Sequence, residues 1–567
     1  MLLSNLNLLA TAPGGVARLR ELILTLAVQG KLVPQDPSDE SARDLLQRVA
    51  ANAIVRSAKS HKASGGSDEI AAPYGLPDGW AWSRLGDIVE NMGSGWSPAC
   101  DEGERSDPTR WAVLRTTAVQ VNEYRAREHK VIPSKLSPRP EIEVKDGDIL
   151  ITRAGPMNRV GISCWVNNTP PRLMLSDKIV RFHSIADEML PAFVVLALNA
   201  GWTKSLIEQA KTGMAASQVN ISQTDLRGFW LPVCSKAEQS RIVTRVEELM
   251  HLCDALEAKG RLEATQHAQL VSTLLATLTE SETPAQLTDN WHRIATHFDL
   301  LLGRPQAVDA LEQTILQLAV RGLLVPQDPE DEPASVLLKN IRAEKDKLIA
   351  EGKIKRDKPL PPIAEDEQPF ALPQGWEWVT MDGLASQITD GAHHTPTYIA
   401  EGVPFLSVKD LSSGFIDFSD TRFISPQSHE DLAKRCNPEM GDVLLTKIGT
   451  TGIAVVVDTP RAFSLFVSVA LIKLPSVSVD RDFLSLVINS PFVRQQSEDG
   501  TEGVGNKNLV LRKIKAFQIP IPPLAEQSRI VTRVAQLRRL CVDLRQRLSA
   551  SQSTQAHLAE ALVQEVA

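Results

Sequence analysis

Apolar residues return in alternating steps of four and three at two distant places in the chain. Ile242, Val246, Leu249, Cys253 and Leu256 form one series; Ile530, Val534, Leu537, Cys541 and Leu544 form the other. That spacing is the seam of a long helix meant to pair with another helix. Shorter helices are expected near the start. Leu19, Ile23, Leu26 and Ala27 share one helical face, Gly30 ends it, and Val-Pro-Gln-Asp-Pro makes a rigid turn. A second short helix is expected from about Ser41 to Val55. Strand signals take over between these stretches. A Gly-Asp turn precedes Ile149–Thr152, and another precedes Val443–Thr446. Trp80 and Trp82, like Trp376 and Trp378, stand at alternate positions, which suits a strand entering a domain core.

These elements come twice. Ala237–Val246 and Ala525–Val534 are both AEQSRIVTRV. LAVQGKLVPQDP (Leu26–Pro37) matches LAVRGLLVPQDP (Leu318–Pro329) at all but two places. LPDGWAWSRLGDI from Leu76 recurs as LPQGWEWVTMDGL from Leu372, and KDGDILITRAG (Lys145–Gly155) recurs as EMGDVLLTKIG (Glu439–Gly449). Between these blocks the two strand-rich regions diverge widely. The order is a helical block over residues 1–55, a Gly/Ser/Ala-rich linker over 56–73, a strand-rich domain over 74–235 and a long helix over 236–285. It repeats as a block over 286–351, a Pro-rich linker over 352–369, a strand-rich domain over 370–522 and a long helix over 523–567. A duplicated helical scaffold carrying two readers of different things accounts for this layout.

At 567 residues the chain needs several cores. A net charge of −8 argues mildly against a nucleic-acid binder, but it says nothing about where the charges lie. MLLSNLNLLATAPGG is apolar without a basic leader, so no signal peptide is expected, and no run reaches the roughly 18 apolar residues of a membrane span. The six cysteines form no CxxC pair, which fits a reduced, cytoplasmic setting. There is no GxxxxGK loop, no HExxH and no adenine-methyltransferase [DN]PP[YF] tetrapeptide. His393-His394 is not read as part of a ligand set, so no metal site is expected.

The two AEQSRIV starts, the LAVxGxLVPQ blocks, the GWxW entries, the GDILITR and GDVLLTK strands and TDGAHHTP together resemble the specificity subunit of Type I restriction–modification enzymes. The resemblance covers nearly the whole chain. One departure is that the second long helix enters through Pro522, Pro523, Leu524 and Ala525, whereas the first enters through Val233, Cys234, Ser235 and Lys236. The resemblance implies an α+β chain with a pseudo-two-fold internal repeat. Two strand-rich target recognition domains would be joined by two long antiparallel coiled-coil helices, with extra helical blocks. Each domain would read one half of a split, asymmetric site on double-stranded DNA. Two modification subunits would methylate adenine with S-adenosylmethionine, and two motor-nuclease subunits using ATP and Mg would cleave, leaving this chain without catalytic role or cofactor. A methyltransferase-only partner is the alternative, and a protein–protein scaffold without DNA is a third reading.

Base and phosphate contacts call for Arg, Lys, Asn, Gln, Ser or Thr on loops. The candidates in the first domain are Ser94, Trp96, Arg115, Thr152, Arg153, Asn158, Arg159, Lys178, Gln218 and Asn220. In the second they are His393, His394, Lys409, Thr446, Lys447, Thr450, Thr451, Asn506 and Lys507. For each the alternative is an ordinary solvated side chain, and for Trp96 it is packing. Arg153 and Lys447 stand out because they follow equivalent strands. The charged face of the long helices (Arg241, Arg245, Glu247, Glu248, Arg529 and Arg533) is a candidate dock for the modification subunits or a solvated surface. A helix of roughly 40 residues spans about 60 Å, enough to hold two readers about 34–36 Å apart along DNA.

Overall fold

The computed structural model describes residues 6–56, 74–100, 105, 107–185, 188–281, 283–355, 360–503 and 507–566. The flexible linker expected over 56–73 lies almost wholly outside the described residues. The chain is α+β and divides into two compact units, Met1–Leu262 with Gln552–Ala567, and Glu263–Ser551. The divide passes through both long helices, Lys236–Thr279 and Leu524–Val566.

In the first unit, helix Gly15–Val28 ends on Gly30 at φ 70°, with the Lys31 amide donating back to Leu26 O at 2.9 Å. A Cβ on Gly30 would stand 2.6 Å from Pro77 Cγ, so close packing as well as the left-handed turn requires glycine there. The strand-rich domain opens with Ala81–Arg84, which pairs antiparallel with its closing strand Trp230–Val233. Between them lies a four-stranded antiparallel sheet in the order Val89–Ser94, Ile179–Ser184, Ile149–Thr152, Ser163–Trp165. A mixed three-stranded sheet, Leu173–Met174, Ala112–Leu114 and His129–Val131, stands beside it. Strand Ile149–Thr152 is buried at every position, and its neighbours share a core with helix Pro191–Asn199.

The second unit repeats this plan. Glu377–Thr380 pairs with Gln518–Ile521. The four-stranded sheet runs Gln387–Asp390, Val469–Lys473, Val443–Thr446, Ala454–Val456. The three-stranded sheet runs Arg422–Ile424, Val403–Leu406, Ser464–Leu465. The β-sheet framework is therefore duplicated even where the sequences are not.

The repeated motifs meet at one point in each unit. Glu238 is buried at the start of its long helix; it accepts hydrogen bonds from Trp80 Nε1 at 3.0 Å and Gln35 Nε2 at 2.6 Å. Glu526 accepts from Trp376 Nε1 at 3.0 Å and Gln327 Nε2 at 3.2 Å. So the Gln of each VPQ block, the first Trp of each GWxW and the Glu of each AEQ form one knot, in which the Trp and Glu are buried and the Gln closes it from the exposed side. It ties block, domain and long helix together. Burial raises the carboxyl pKa of both glutamates above the usual value, against the lowering effect of their hydrogen-bond donors. The next residue holds the N-cap residue of a domain helix, Pro191–Asn199 in one unit and Arg481–Ile488 in the other. Gln239 Oε1 accepts from the Leu190 amide and Gln527 Oε1 from the Asp480 amide, both at 2.8 Å.

The seam has a helical partner, and its identity sharpens the expectation. Ile242, Val246 and Cys253 share a core with Val16, Ile23 and Ala27 of helix Gly15–Val28, so the first half of the seam rests on the short helical block. Arg20 adds an ion pair to Asp254 at 2.6 Å. In the second unit Ile530, Val534 and Cys541 share a core with Val308, Leu311 and Ile315 of helix Pro305–Val320. Val271, Leu275 and Leu278, from the end of the first long helix, belong to that same core. The end of one long helix thus joins the core built on the start of the other, the sense an antiparallel pair requires. In the first unit Ala559, near the end of the second long helix, packs with Leu9 and Ala12, and Arg18 pairs with Glu560 at 2.9 Å.

Candidate nucleic-acid interface

The end of the four-stranded sheet gathers most candidates of the first domain. Thr152 pairs with Ile179, and Ser94 with Val180 one position away. The Arg153 amide donates to Lys178 O at 2.8 Å, and the Ile221 amide donates to Arg153 O at 2.9 Å. Gln218 and Asn220 lie on the adjoining hairpin, with Asn220 opposite Ala154. Asn158, Lys178, Gln218 and Asn220 are exposed, while Ser94 and Arg153 are half-buried. Arg115 stands apart, half-buried after strand Ala112–Leu114.

Two candidates on this rim have their polar groups directed inward. Thr152 is fully buried; its hydroxyl donates to the carbonyls of Arg159 and Ile162 and accepts from the Ile162 amide at 3.1 Å. Arg159 donates to Thr116 O at 2.9 Å, Val119 O at 2.7 Å and Gln120 Oε1 at 3.1 Å. Together they pin the loop that carries Asn158. Trp96 packs beside Val113, Ile132 and Met174, as a packing role requires.

In the second domain the equivalent rim holds a charge cluster around Asp390, which is 3% exposed. Lys447 Nζ lies 3.2 Å from Asp390 Oδ2 and His393 Nε2 lies 3.0 Å from Oδ1; Arg435 Nη2 also pairs with Oδ1. Lys447 is itself 4% exposed. The Lys447 amide donates to Ser468 O and the Leu509 amide to Lys447 O, the same two bonds that frame Arg153. One backbone position therefore serves two electrostatic ends. The lysine ammonium is spent on a buried carboxylate, whereas the arginine lies half-buried, its Nε without a partner among the described residues. Thr446 is fully buried and its hydroxyl accepts from the Ile453 amide at 3.0 Å. His393, His394, Thr450 and Lys507 are exposed and Thr451 half-buried, with Lys507 O accepting from the Gly449 amide. Lys409 sits by the three-stranded sheet, held 2.9 Å from Asp420. Asn506 lies outside the described residues.

Motif reading missed Asp390, inside the very TDGAHHTP stretch it quoted, and Arg435, far along the chain. Arg435 follows helix Pro426–Ala433 and reaches Asp390 only through the tertiary fold, 45 residues away in sequence, so their proximity carries no local signal. Of the charged helix face, Arg241 is tied to Asp39 at 2.6 Å and Arg529 to Asp331 at 2.5 Å, so both brace the helical blocks. Arg245 pairs along its own helix with Glu248 at 2.9 Å. Among the described residues no group of three or more His, Cys, Asp or Glu is placed to hold a metal, and no helix is long and apolar enough to cross a membrane.

A family model described as the Type I restriction modification DNA specificity domain matches residues 373–551. The specificity subunit of the EcoAI Type I restriction enzyme of Escherichia coli is 33% identical over 568 residues, covering 97% of this chain and 93% of that protein. The EcoEI specificity subunit of the same organism is 32% identical over 570 residues with the same coverage. A solved chain from a study of assembly and conformational transition in a type I R-M system is 18% identical with a TM-score of 0.48, covering 87% of this chain and 99% of that one.

Proposed function

The chain belongs to the family of Type I restriction–modification specificity subunits, and from that premise we propose that each strand-rich domain reads one half of a split, asymmetric site on double-stranded DNA. The observation that carries this is the contrast between framework and rim. The knots at the helix starts are the same three side chains in both units. At the sheet rim, equivalent positions differ: Ser94 answers to Asp390, Trp96 to Ala392 and Lys178 to Ser468. A framework kept alike beneath a changed rim suits two readers of different base sequences.

The chain contributes recognition and placement. Two modification subunits carry S-adenosylmethionine and methylate adenine N6. Two motor-nuclease subunits carry ATP and Mg and cleave unmodified DNA. A complex with modification subunits alone is the second reading, and the genes beside this one decide between them. The assembly works in the cytoplasm.

The test is DNA binding by this chain with its modification subunits across a salt series. Log affinity should fall steeply and linearly with log salt, as counterions leave the phosphates. A flat response between low and moderate salt removes the DNA reading.

A further inference from the structure

We propose that Arg139 and Arg435 are equivalent base-reading residues, one in each domain, each presenting a guanidinium to the edge of a guanine; this rests on the reading above. Sheet register makes them equivalent. The Trp96 amide donates to Leu175 O as the Ala392 amide donates to Leu465 O. Val113 pairs with Met174 and Lys130 as Phe405 pairs with Ser464 and Arg422. Each three-stranded sheet carries a small apolar cluster, Val113, Ile132 and Met174 in one and Ala392, Phe405 and Ile424 in the other. Leu136 packs on the first and Leu432 on the second. Each arginine stands three residues beyond that leucine. Helix Pro426–Ala433 lengthens the second connection and hides the match from sequence alignment.

Both side chains are exposed, yet both are held. The Arg139 guanidinium lies 4.3 Å from the Trp96 ring centroid. Arg435 Nη2 donates to Asp390 and lies 3.1 Å from His393 Nε2. Both sets of supports come from the end of the first strand of the four-stranded sheet and the loop that follows it: Trp96 in one domain, Asp390 and His393 in the other. An arginine braced in this way has already lost part of its rotamer freedom, so less is lost when it meets a base. Its charge is also left over for DNA. Lys447 already answers the single charge of Asp390 from the buried side, so Arg435 adds a net positive charge at the surface. Arg139 has no carboxylate partner among the described residues. Guanine offers O6 and N7 as paired acceptors that fit such a fork. A stacked brace in one domain and an ionic brace in the other set the two forks differently, which suits two different half-sites.

The test uses the full chain assembled with its modification subunits, bound to a duplex bearing the target found by methylation sequencing, and to duplexes with either half-site scrambled. Arg435→Ala should weaken binding to the full target by about tenfold or more. It should leave unchanged the binding to a duplex whose second-domain half-site is already scrambled. In methylation sequencing it should relax one guanine position in that half-site alone. Arg139→Ala should do the same for the other half-site, so each variant is the folding control for the other. Arg435→Lys, which keeps charge without the fork, should relax the same position. Equal losses on target and scrambled duplexes, or no loss at all, overturn the proposal while leaving domain-wise reading intact. A wild-type complex that does not prefer target over scrambled duplex overturns the reading beneath it.

Discussion

Replacing Trp376 by Phe should loosen the start of the second long helix by an amount set by one hydrogen bond. Trp376 and Glu526 are both nearly fully buried, and the indole donates at 3.0 Å to Oε2 while Gln327 serves Oε1. Phenylalanine cannot donate, so one oxygen of a buried carboxylate loses its partner, at about 1.5–3 kcal/mol. The smaller ring adds on the order of 1 kcal/mol through lost packing. A total of about 3 kcal/mol corresponds to roughly 150-fold faster local opening, at about 1.4 kcal/mol per factor of ten. Hydrogen exchange at pH 8, read by mass spectrometry on the peptide spanning Leu524–Ala535, measures that opening directly. In a Glu526→Leu background, which offers no acceptor to the indole, the same Trp376→Phe change should cost only about 1 kcal/mol, the packing share. Equal effects in both backgrounds, or less than about threefold faster exchange in the single variant, would refute the knot as an energetic unit.

Other consequences follow from the same geometry. Because burial raises the pKa of Glu526 and Glu238, the folded state favours their protonated forms. Their contribution is fully present below the unfolded value of about 4.3 and is lost as pH rises through the raised folded value. The melting temperature of wild type minus that of Glu526→Gln should therefore shrink between pH 4 and pH 8; a widening gap would contradict it. Gly322→Ala places a Cβ 2.5 Å from Pro373 Cγ at a φ of 71°, so it should cost more than Gly352→Ala, whose φ of 70° faces open space and costs about 1 kcal/mol. Urea titration compares the two, and equal midpoints would show that the close approach is relieved. Inserting four residues after Leu256 lengthens the first long helix by about 6 Å. The gap between half-sites in the methylated motif should then grow by about two base pairs; an unchanged gap would remove that helix from the spacing role.

The scaffold was legible in sequence because it is built twice from side chains with strong local habits. A heptad, a Gly stop and a Trp pair each announce themselves within a dozen residues. That the blocks are one device was not legible. Gln35 and Trp80 reach Glu238 across separations of 203 and 158 residues, and nothing in any block points to the others. Nor did the heptad name its partner, since an apolar seam is satisfied by any apolar helix. The rim was the least legible part. Thr152 and Thr446, at the ends of expected strands, look like polar rim residues but are fully buried and serve as staples through their hydroxyls. Lys447 read as a surface cation, yet Asp390 claims it across paired strands. Arg139 and Arg435 share a place that an inserted helix separates in the alignment.

The claim that one chain carries two independent readers is most directly tested by replacing residues 370–522 with a second copy of residues 74–235 and sequencing the methylated genome of cells that also make the modification subunit. The native chain should give a motif of two unlike half-sites separated by unspecified bases. The duplicated-domain chain should give two copies of one half-site in inverted orientation, with the other half gone. A continuous motif from the native chain, or the native motif unchanged in the duplicated one, would contradict the account.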